Sequence, residues 1–96
     1  MCGRFTLTVD LAFLQERFQF QAPPDLGYAP MFNIAPTNEV LVLVQDGARQ
    51  AAMMRWGLVP SWSKVLRPQI QPINAKAESV ATSGMFKNAL KRRRCL

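Results

Sequence analysis

The chain has 96 residues, of which 49% are hydrophobic and 19% charged, with a formal net charge of +6, two cysteines and no histidine. This length fits one domain or part of one, the apolar content excludes intrinsic disorder, and two cysteines are too few for a disulfide-stabilised secreted scaffold. Because the apolar runs are far shorter than a bilayer crossing and no basic-then-apolar leader opens the chain, we expect a cytoplasmic protein without a membrane partner.

The first predicted element is a short amphipathic helix over residues 11–20. Asp10 is a favourable N-cap residue, and Leu11, Leu14 and Phe18 follow it at helical spacing. We expect the apolar face of this helix to pack into a core.

A proline-rich segment and an antiparallel hairpin follow. Residues 21–36 contain four of the seven prolines, which forbids a regular helix and predicts an ordered loop or a linker. Residues 39–45 are rich in valine and leucine, Asp46 and Gly47 form a hairpin turn signal, and residues 48–56 can return as the partner strand. A single hairpin is marginal alone, so we expect it to need additional strands.

The last third of the chain is predicted to contain a loop and a second helix. Pro60 and Pro68 break the stretch after the hairpin, which predicts a polar and basic loop over residues 61–71 around Trp62. A helix is expected from Ser83, as its N-cap, into the basic cluster Lys91–Arg94. Residues 94–96 indicate the start of a strand with nothing left to pair with it, so we expect a truncated chain or one that completes itself by association.

The positive charge is concentrated in the second half of the chain. Residues 1–48 carry two basic and five acidic side chains, a net charge of −3, whereas residues 49–96 carry ten basic and one acidic, a net charge of +9. This asymmetry favours a polyanionic partner such as nucleic acid. The alternative is that the basic cluster is only the solvated end of a helix, where cations also suit the helix dipole.

Cys2 carries the most distinctive chemistry, because removal of Met1 would make it the N-terminal residue. Its amine and thiol would then titrate at about pH 7.7 and 8.5, so an appreciable fraction of the amine is neutral and nucleophilic at neutral pH. The amine can form a Schiff base with an aldehyde, and the thiolate can close on the imine as a thiazolidine; alternatively, the thiol could attack an acyl group. The alternative, which position alone favours, is that Cys2 is a small apolar residue behind an uncleaved Met1.

Other reaction classes lack the residues they need. A thiol peptidase of the usual kind uses a histidine base, and the chain has none. Two cysteines far apart in sequence and no clustered carboxylates provide no spacing for a metal. No phosphate-binding glycine loop or dinucleotide fingerprint is present, so we expect neither a metal nor a cofactor.

A group of polar residues follows the predicted loop. If residues 73–79 are extended, Asn74, Lys76 and Glu78 share one face, which could hold a polar substrate near a phosphate. The alternative is that this face is only a solvated strand face with an ion pair. Trp62, beside basic groups, could stack on splayed bases, although core packing is the usual fate of an indole.

Five segments of the chain carry a family resemblance. In chain order they are Met1–Phe5, Asn33–Thr37, Arg55–Trp62, Ile73–Ser79, and Phe86 followed by Arg93–Leu96. Together they resemble the SRAP family, the SOS-response-associated peptidase domain that shields abasic sites in single-stranded DNA. The resemblance covers the whole chain but, since family domains run to about two hundred residues, it implies that residues 1–96 are the N-terminal portion of a single SRAP domain.

The resemblance implies that the protein senses abasic sites in single-stranded DNA and captures them covalently. After removal of Met1, Cys2 would attack the ring-opened sugar aldehyde through its amine, and its sulfur would trap the imine as a thiazolidine. Asn74 matches the family asparagine that positions the N-terminal residue and the sugar, so Cys2 and Asn74 are the implied catalytic residues. The catalytic glutamate and the histidine of the family would follow Leu96, and Glu78 belongs to a different motif.

The resemblance also implies a set of DNA-binding residues: Arg4, Pro36, Arg55, Trp62 and Lys76. The basic members would contact the DNA backbone, and the proline and tryptophan would lie where bases stack. Lys76 replaces a more usual arginine, which keeps the charge but loses the bidentate fork for phosphate.

The implied fold is α+β, with a mostly antiparallel, β-rich, barrel-like core and peripheral helices, here apparently truncated. The implied activities are autoprocessing peptidase, crosslinking and lyase-like, with localisation at the nucleoid when the protein is bound to DNA. Two other functions stay open: a thiol-dependent (auto)peptidase, and a non-catalytic basic module that binds nucleic acid. Self-association of the truncated domain is a further expectation.

Overall fold

The structure is a computed structural model that describes residues 3–65 and 71–96. Its elements in chain order are β1 (Phe5–Leu7), α1 (Leu11–Phe18), β2 (Met31–Ile34), β3 (Glu39–Asp46), β4 (Ala48–Arg55) and α2 (Lys87–Arg92). β1 pairs with β2 and β3 pairs with β4, both antiparallel. The helices and strands confirm the predicted α+β class. Within the described ranges the strands form two separate two-stranded sheets and close no barrel, so the barrel-like core is not confirmed.

The chain divides into two compact units. The strand unit comprises Arg4–Trp56 and Cys95–Leu96, and the basic unit is built on Gly57–Arg94. β1 to β4 and α1 lie in the strand unit, and α2 lies in the basic unit. The described ranges contain no helix that is long and apolar enough to cross a bilayer.

α1 begins where its capping residue predicts. The Oδ1 atom of Asp10 accepts a hydrogen bond of 2.9 Å from the backbone N–H of Phe13. This bond satisfies one of the N–H groups that have no acceptor within the first turn of a helix. The helix ends at Phe18, two residues before the predicted end, because Gln19 adopts a left-handed conformation with φ of 52°. Arg49 of β4 donates to the Phe18 carbonyl, so a cation lies at the negative end of the helix.

The core of the strand unit lies between α1 and the β3–β4 hairpin. Leu14 is buried with Phe20, Leu43 and Ala51, which confirms that the apolar face of the predicted helix packs inward. Gln21 extends the contact, since its N–H donates to the carbonyl of Arg49 at 3.1 Å and its carbonyl accepts from the N–H of Ala51 at 2.9 Å. The chain therefore covers part of the outer edge of β4.

The hairpin follows the sequence prediction closely. β3 and β4 are paired in register from Glu39 opposite Arg55 to Asp46 opposite Ala48, and Gly47 has the positive φ of 73° that the tight turn requires.

The outer edge of β3 is also paired, which sequence analysis did not foresee. Leu96 exchanges two backbone hydrogen bonds with Leu43, of 2.9 and 3.1 Å, in the pattern of antiparallel strands. The expectation that residues 94–96 would find no partner was wrong, because the edge of β3 that faces away from β4 carries its own N–H and C=O groups.

The sequence prediction missed two strands, β1 and β2. Within residues 21–36, predicted as loop or linker, Met31–Ile34 pairs with β1, with Phe5 opposite Ile34 and Leu7 opposite Met31. Ile34 is only 1% exposed. Prolines dominate the local pattern, and the partner of this short strand lies far away in sequence, so only tertiary pairing reveals it.

The basic unit agrees only partly with prediction. Residues 61–65 form turns, as expected for a loop, and residues 66–70 of the predicted loop lie outside the described residues. α2 begins after Phe86 rather than at Ser83, and no side chain caps it. Ser83 nevertheless makes cap-type hydrogen bonds one turn earlier, because its hydroxyl accepts from the N–H of Met85 at 3.3 Å and its carbonyl accepts from the N–H groups of Phe86 and Lys87 at 3.2 and 2.9 Å. Residues 84–86 form turns that lead into α2, with the weak helix former Gly84 next to Ser83.

Tyr28 connects the long loop to the start of α1. Its hydroxyl donates to the carbonyl of Val9, and burial raises the pKa of Tyr28 above its ordinary value, with the carboxylate of Asp10 adding to the shift. A phenol whose pKa is higher in the folded state stabilises the fold fully at pH values below about 10, and this contribution is lost as the pH rises through the folded-state pKa.

We expect this dependence to appear in a comparison of the wild type with Tyr28→Phe. The variant should be less stable at neutral pH by about 1 kcal/mol, because it lacks the hydroxyl donor. The difference should shrink above about pH 10, where the phenol ionises in the unfolded wild type before it does so in the folded protein. Urea unfolding of both proteins from pH 7 to pH 11 measures the difference; one that stays constant over this range would contradict the assignment.

Candidate nucleic-acid interface

Arg4 and Asn33 meet on the surface of the strand unit. Both side chains are exposed, and Nη1 of Arg4 donates to Oδ1 of Asn33 at 3.2 Å. The residues are 29 positions apart in sequence, and the pairing of β1 with β2 brings them together. Asn33 was not among the predicted site residues. The signal that could have identified it is its position at the start of the segment Asn33–Thr37, which carries part of the family resemblance.

Pro36 lies in a tight turn between β2 and β3 and is half-buried. Oδ1 of Asn38 accepts from the N–H of Ala35 at 2.8 Å, and the N–H of Asn38 donates to the carbonyl of Ala35 at 3.1 Å. Thr37, inside the turn, has a φ of 84°, a left-handed conformation that β-branched residues rarely adopt. The paired hydrogen bonds of Asn38 hold the backbone in this conformation.

This turn is fastened to the end of β4. The N–H of Thr37 donates to the carbonyl of Trp56, and the N–H of Trp56 donates to the carbonyl of Asn38, both at 2.8 Å. The ladder then continues with Glu39 directly opposite the half-buried Arg55. Two of the segments that resemble the SRAP family, 33–37 and 55–62, therefore meet at Trp56 through backbone hydrogen bonds.

We expect Asn38 to stabilise the turn through its side-chain oxygen. Asn38→Ala leaves the part-buried N–H of Ala35 without its acceptor, which should lower the free energy of unfolding by about 1–2 kcal/mol. Asn38→Asp keeps an oxygen in the same position and is the matched control, expected within about 0.5 kcal/mol of the wild type. Chemical denaturation measures both, and equal losses would show that the hydrogen bond is not the cause.

Trp62 is the exposed aromatic residue of the basic unit, with 62% of its surface accessible. It lies in a turn in which the N–H of Ser63 donates to the carbonyl of the buried Pro60 at 3.0 Å, and the Ser63 hydroxyl donates to the carbonyl of Val65 at 2.8 Å. Of the two interpretations that the sequence left open for this indole, core packing is excluded within the described residues. An exposed indole can stack on an unpaired base.

Asn74 and Lys76 are exposed, in a stretch without helix or strand. The carbonyl of Lys76 accepts from the N–H groups of Ser79 and Val80, at 3.2 and 2.9 Å, so the chain turns at this point. The shared face of Asn74, Lys76 and Glu78 was predicted only for an extended segment, and this condition is not met because Glu78 lies within the turn. The amide and the ammonium group are nevertheless accessible to a ligand.

The basic unit has a strong excess of positive charge. Residues 57–94 carry eight basic side chains against one acidic side chain, Glu78. The exposed members in and after α2 are Lys87, Lys91, Arg92, Arg93 and Arg94. Exposed cations together with an accessible indole suit single-stranded nucleic acid, in which phosphates follow one another and bases are free to stack.

The predicted site residues fall into the two units as follows. Arg4, Pro36 and Arg55 lie in the strand unit, and Trp62, Asn74 and Lys76 lie in the basic unit. Cys2 lies outside the described residues. Cys95 is described, with an exposed and unbridged thiol. The described residues contain no group of three or more side chains that could hold a metal ion.

Comparison with known proteins gives one family. The model of the SOS response associated peptidase (SRAP) family matches residues 1–96. The abasic site processing protein YoqW of Bacillus subtilis (strain 168) is 36% identical over 98 residues, which are 100% of this chain and 44% of YoqW. The abasic site processing protein YedK of Escherichia coli (strain K12) is 36% identical over 92 residues, 91% of this chain and 40% of YedK.

A eukaryotic relative shows a similar match. The abasic site processing protein HMCES of Pongo abelii is 33% identical over 120 residues, which are 100% of this chain and 34% of HMCES. The chain thus spans less than half the length of each of these curated relatives.

Proposed function

Because this chain belongs to the SRAP family, we propose that it captures abasic sites in single-stranded DNA as a covalent crosslink. The family match over residues 1–96 is the observation that carries the proposal, and relatives named abasic site processing proteins support it. Residues 1–96 would be the N-terminal portion of a single domain, whose complete form would contain the barrel-like core. The protein would act in the cytoplasm, at the nucleoid when bound to DNA.

The proposed chemistry takes place at Cys2 after Met1 has been removed. The terminal amine adds to the aldehyde carbon of the ring-opened sugar, and loss of one water molecule gives an imine. The thiolate then attacks the imine carbon, a carbon–sulfur bond forms, and the nitrogen takes up a proton to complete the thiazolidine ring. No redox partner is needed, because the two bonds to the former carbonyl oxygen are replaced by one to nitrogen and one to sulfur.

The other predicted residues would bind and orient the DNA. Asn74 would position the sugar, and its exposed amide in the described structure supports a ligand-facing role. Arg4, Arg55 and Lys76 would contact phosphates, while Pro36 and Trp62 would stack on bases. The exposed indole of Trp62 and the excess of cations in the basic unit support these roles.

An oligonucleotide with one abasic site tests the proposal. The protein is incubated with the single strand, boiled in detergent and separated on a denaturing gel. A band shifted by the mass of the protein supports covalent capture, whereas binding that boiling abolishes would indicate a non-catalytic basic module. Faster cleavage of peptides than crosslinking of DNA would instead indicate a thiol-dependent peptidase.

The state of Met1 decides whether the proposed nucleophile exists. We propose that the autoprocessing activity implied by the family name removes this residue, and intact-mass measurement detects its loss. A protein that retains Met1 should form no crosslink, because the amine of Cys2 is then part of a peptide bond.

Self-association is a second proposal about partners. Large apolar side chains are exposed in the described structure, among them Phe32 at 78% and Phe5 at 47%. Contact between copies of the chain would remove this apolar surface from water, which is favourable.

A further inference from the structure

The hydrogen bond between Arg4 and Asn33 joins two exposed side chains from distant parts of the sequence. We infer that these residues form one phosphodiester-binding pair, in which Asn33 orients the guanidinium group and also donates to the phosphate itself. The inference rests on the proposed function and names a DNA-contacting residue that the sequence prediction did not include.

The backbone under Asn33 is firmly placed. The next residue, Ile34, is 1% exposed and pairs with Phe5, the residue that follows Arg4. Both members of the pair therefore lie next to one anchored cross-strand position. The backbone at Asn33 is held in place, and its side chain already bonds to Arg4. Little further conformational freedom is therefore lost when a ligand binds, which lowers the entropic cost of binding.

The donor and acceptor chemistry makes the pair selective for anions. Arginine can only donate hydrogen bonds, so the atom of Asn33 that faces it must be the amide oxygen. The amide nitrogen of Asn33, with two N–H donors, donates to no residue that the structure describes. The amide oxygen of Asn33 already accepts from Arg4, so the pair offers a ligand the positive charge of Arg4 and the N–H donors of Asn33. The oxygens of a phosphate match both.

The bond could instead serve only to fasten β1 to β2. This structural role and the phosphate role differ in what they predict for Asn33→Asp. A carboxylate accepts a stronger, charge-assisted hydrogen bond from Arg4, so a purely structural role would be preserved or improved. A phosphate-binding role would be damaged, because the carboxylate neutralises the cation, replaces both amide donors and repels the phosphate.

The experiment measures binding of a short fluorescein-labelled oligodeoxythymidylate, without abasic sites, by fluorescence anisotropy at low salt. We expect Asn33→Ala to weaken binding about fivefold, the loss of one hydrogen-bonding group. Asn33→Asp should weaken it roughly tenfold or more, while its thermal unfolding midpoint is no lower than that of Asn33→Ala. Gln50→Glu is the matched control, since it makes the same change of net charge at an exposed position of β4.

A double-mutant cycle tests whether the two residues act together. In an Arg4→Ala background, Asn33→Ala should weaken binding by less than it does in the wild type, because the guanidinium group that it orients is absent.

Three results would overturn the inference: Asn33→Asp binding as tightly as the wild type, Gln50→Glu causing the same loss as Asn33→Asp, or a wild type that does not bind the oligonucleotide. The crosslinking assay reports separately on the proposed function. If the order of the variants is as expected but no boil-resistant adduct forms on abasic DNA, then covalent capture fails and the phosphate-binding pair stands.

Discussion

Replacing Cys2 with Ala is expected to lower the yield of boil-resistant adduct on abasic single-stranded DNA by roughly a hundredfold or more, to the level of background. Alanine keeps the terminal amine but has no sulfur, so an imine can form and hydrolyse but cannot be trapped as a thiazolidine. Denaturing electrophoresis with a labelled oligonucleotide measures the yield. Removal of Met1 from the variant is checked by intact mass, because a retained methionine would remove the adduct for a different reason.

Two controls make this prediction specific to the terminal aminothiol. Cys95→Ser removes the exposed thiol that the structure describes and should leave the yield unchanged. An oligonucleotide with a tetrahydrofuran abasic analogue, which has no aldehyde, should form no adduct with the wild type. Borohydride should restore a band for Cys2→Ala by reducing the imine to an amine. An undiminished adduct from untreated Cys2→Ala would refute the proposed chemistry.

Non-covalent binding to single-stranded DNA is expected to weaken steeply with salt. If Arg4, Arg55 and Lys76 each neutralise a phosphate, with one or two further contacts from the basic cluster Lys91–Arg94, then four or five phosphates are neutralised. The affinity should then fall about 50- to 130-fold between about 50 and 200 mM salt, since the slope of log K against log salt is about −0.7 per phosphate on a single strand. Fluorescence anisotropy over a salt series measures it.

Single substitutions extend the salt prediction to named residues. Lys76→Gln should make the slope less steep by about 0.7, and Lys76→Arg should keep the slope and strengthen binding, because a guanidinium group can hold a phosphate with two hydrogen bonds. Arg17→Gln, an exposed position in the last turn of α1, is the matched control and should leave the slope unchanged. A slope near zero for the wild type would exclude a basic nucleic-acid interface.

The elements predicted well are those whose signals are local. α1 depends on the cap at Asp10 and on apolar residues one turn apart, and the hairpin depends on the turn at Gly47 between two apolar runs. Both signals act within a few residues, so neighbouring sequence is sufficient. The start of α2 was misplaced because Ser83 makes cap-type hydrogen bonds, yet residues 84–86 form turns and the helix begins only at Lys87.

The site was only partly predictable for the same reason. The residue types that suit DNA could be chosen by charge, aromatic character and family resemblance, and Cys2 by its place after Met1. Asn33 was missed, because an exposed asparagine has no distinctive chemistry until its neighbour is known. The shared face of Asn74, Lys76 and Glu78 depended on an extended backbone, which the turn after Lys76 does not provide.

The sequence by itself thus determined the α+β class, α1, the β3–β4 hairpin, the concentration of positive charge and the family. Only the tertiary structure decided that β1 and β2 exist, that Leu96 pairs with Leu43, and that Asn33 holds Arg4. Caps, turns and periodic apolar residues depend on interactions between near neighbours in the chain. Strand pairing and the contacts it creates depend on groups that folding brings together from distant positions, which no local pattern records.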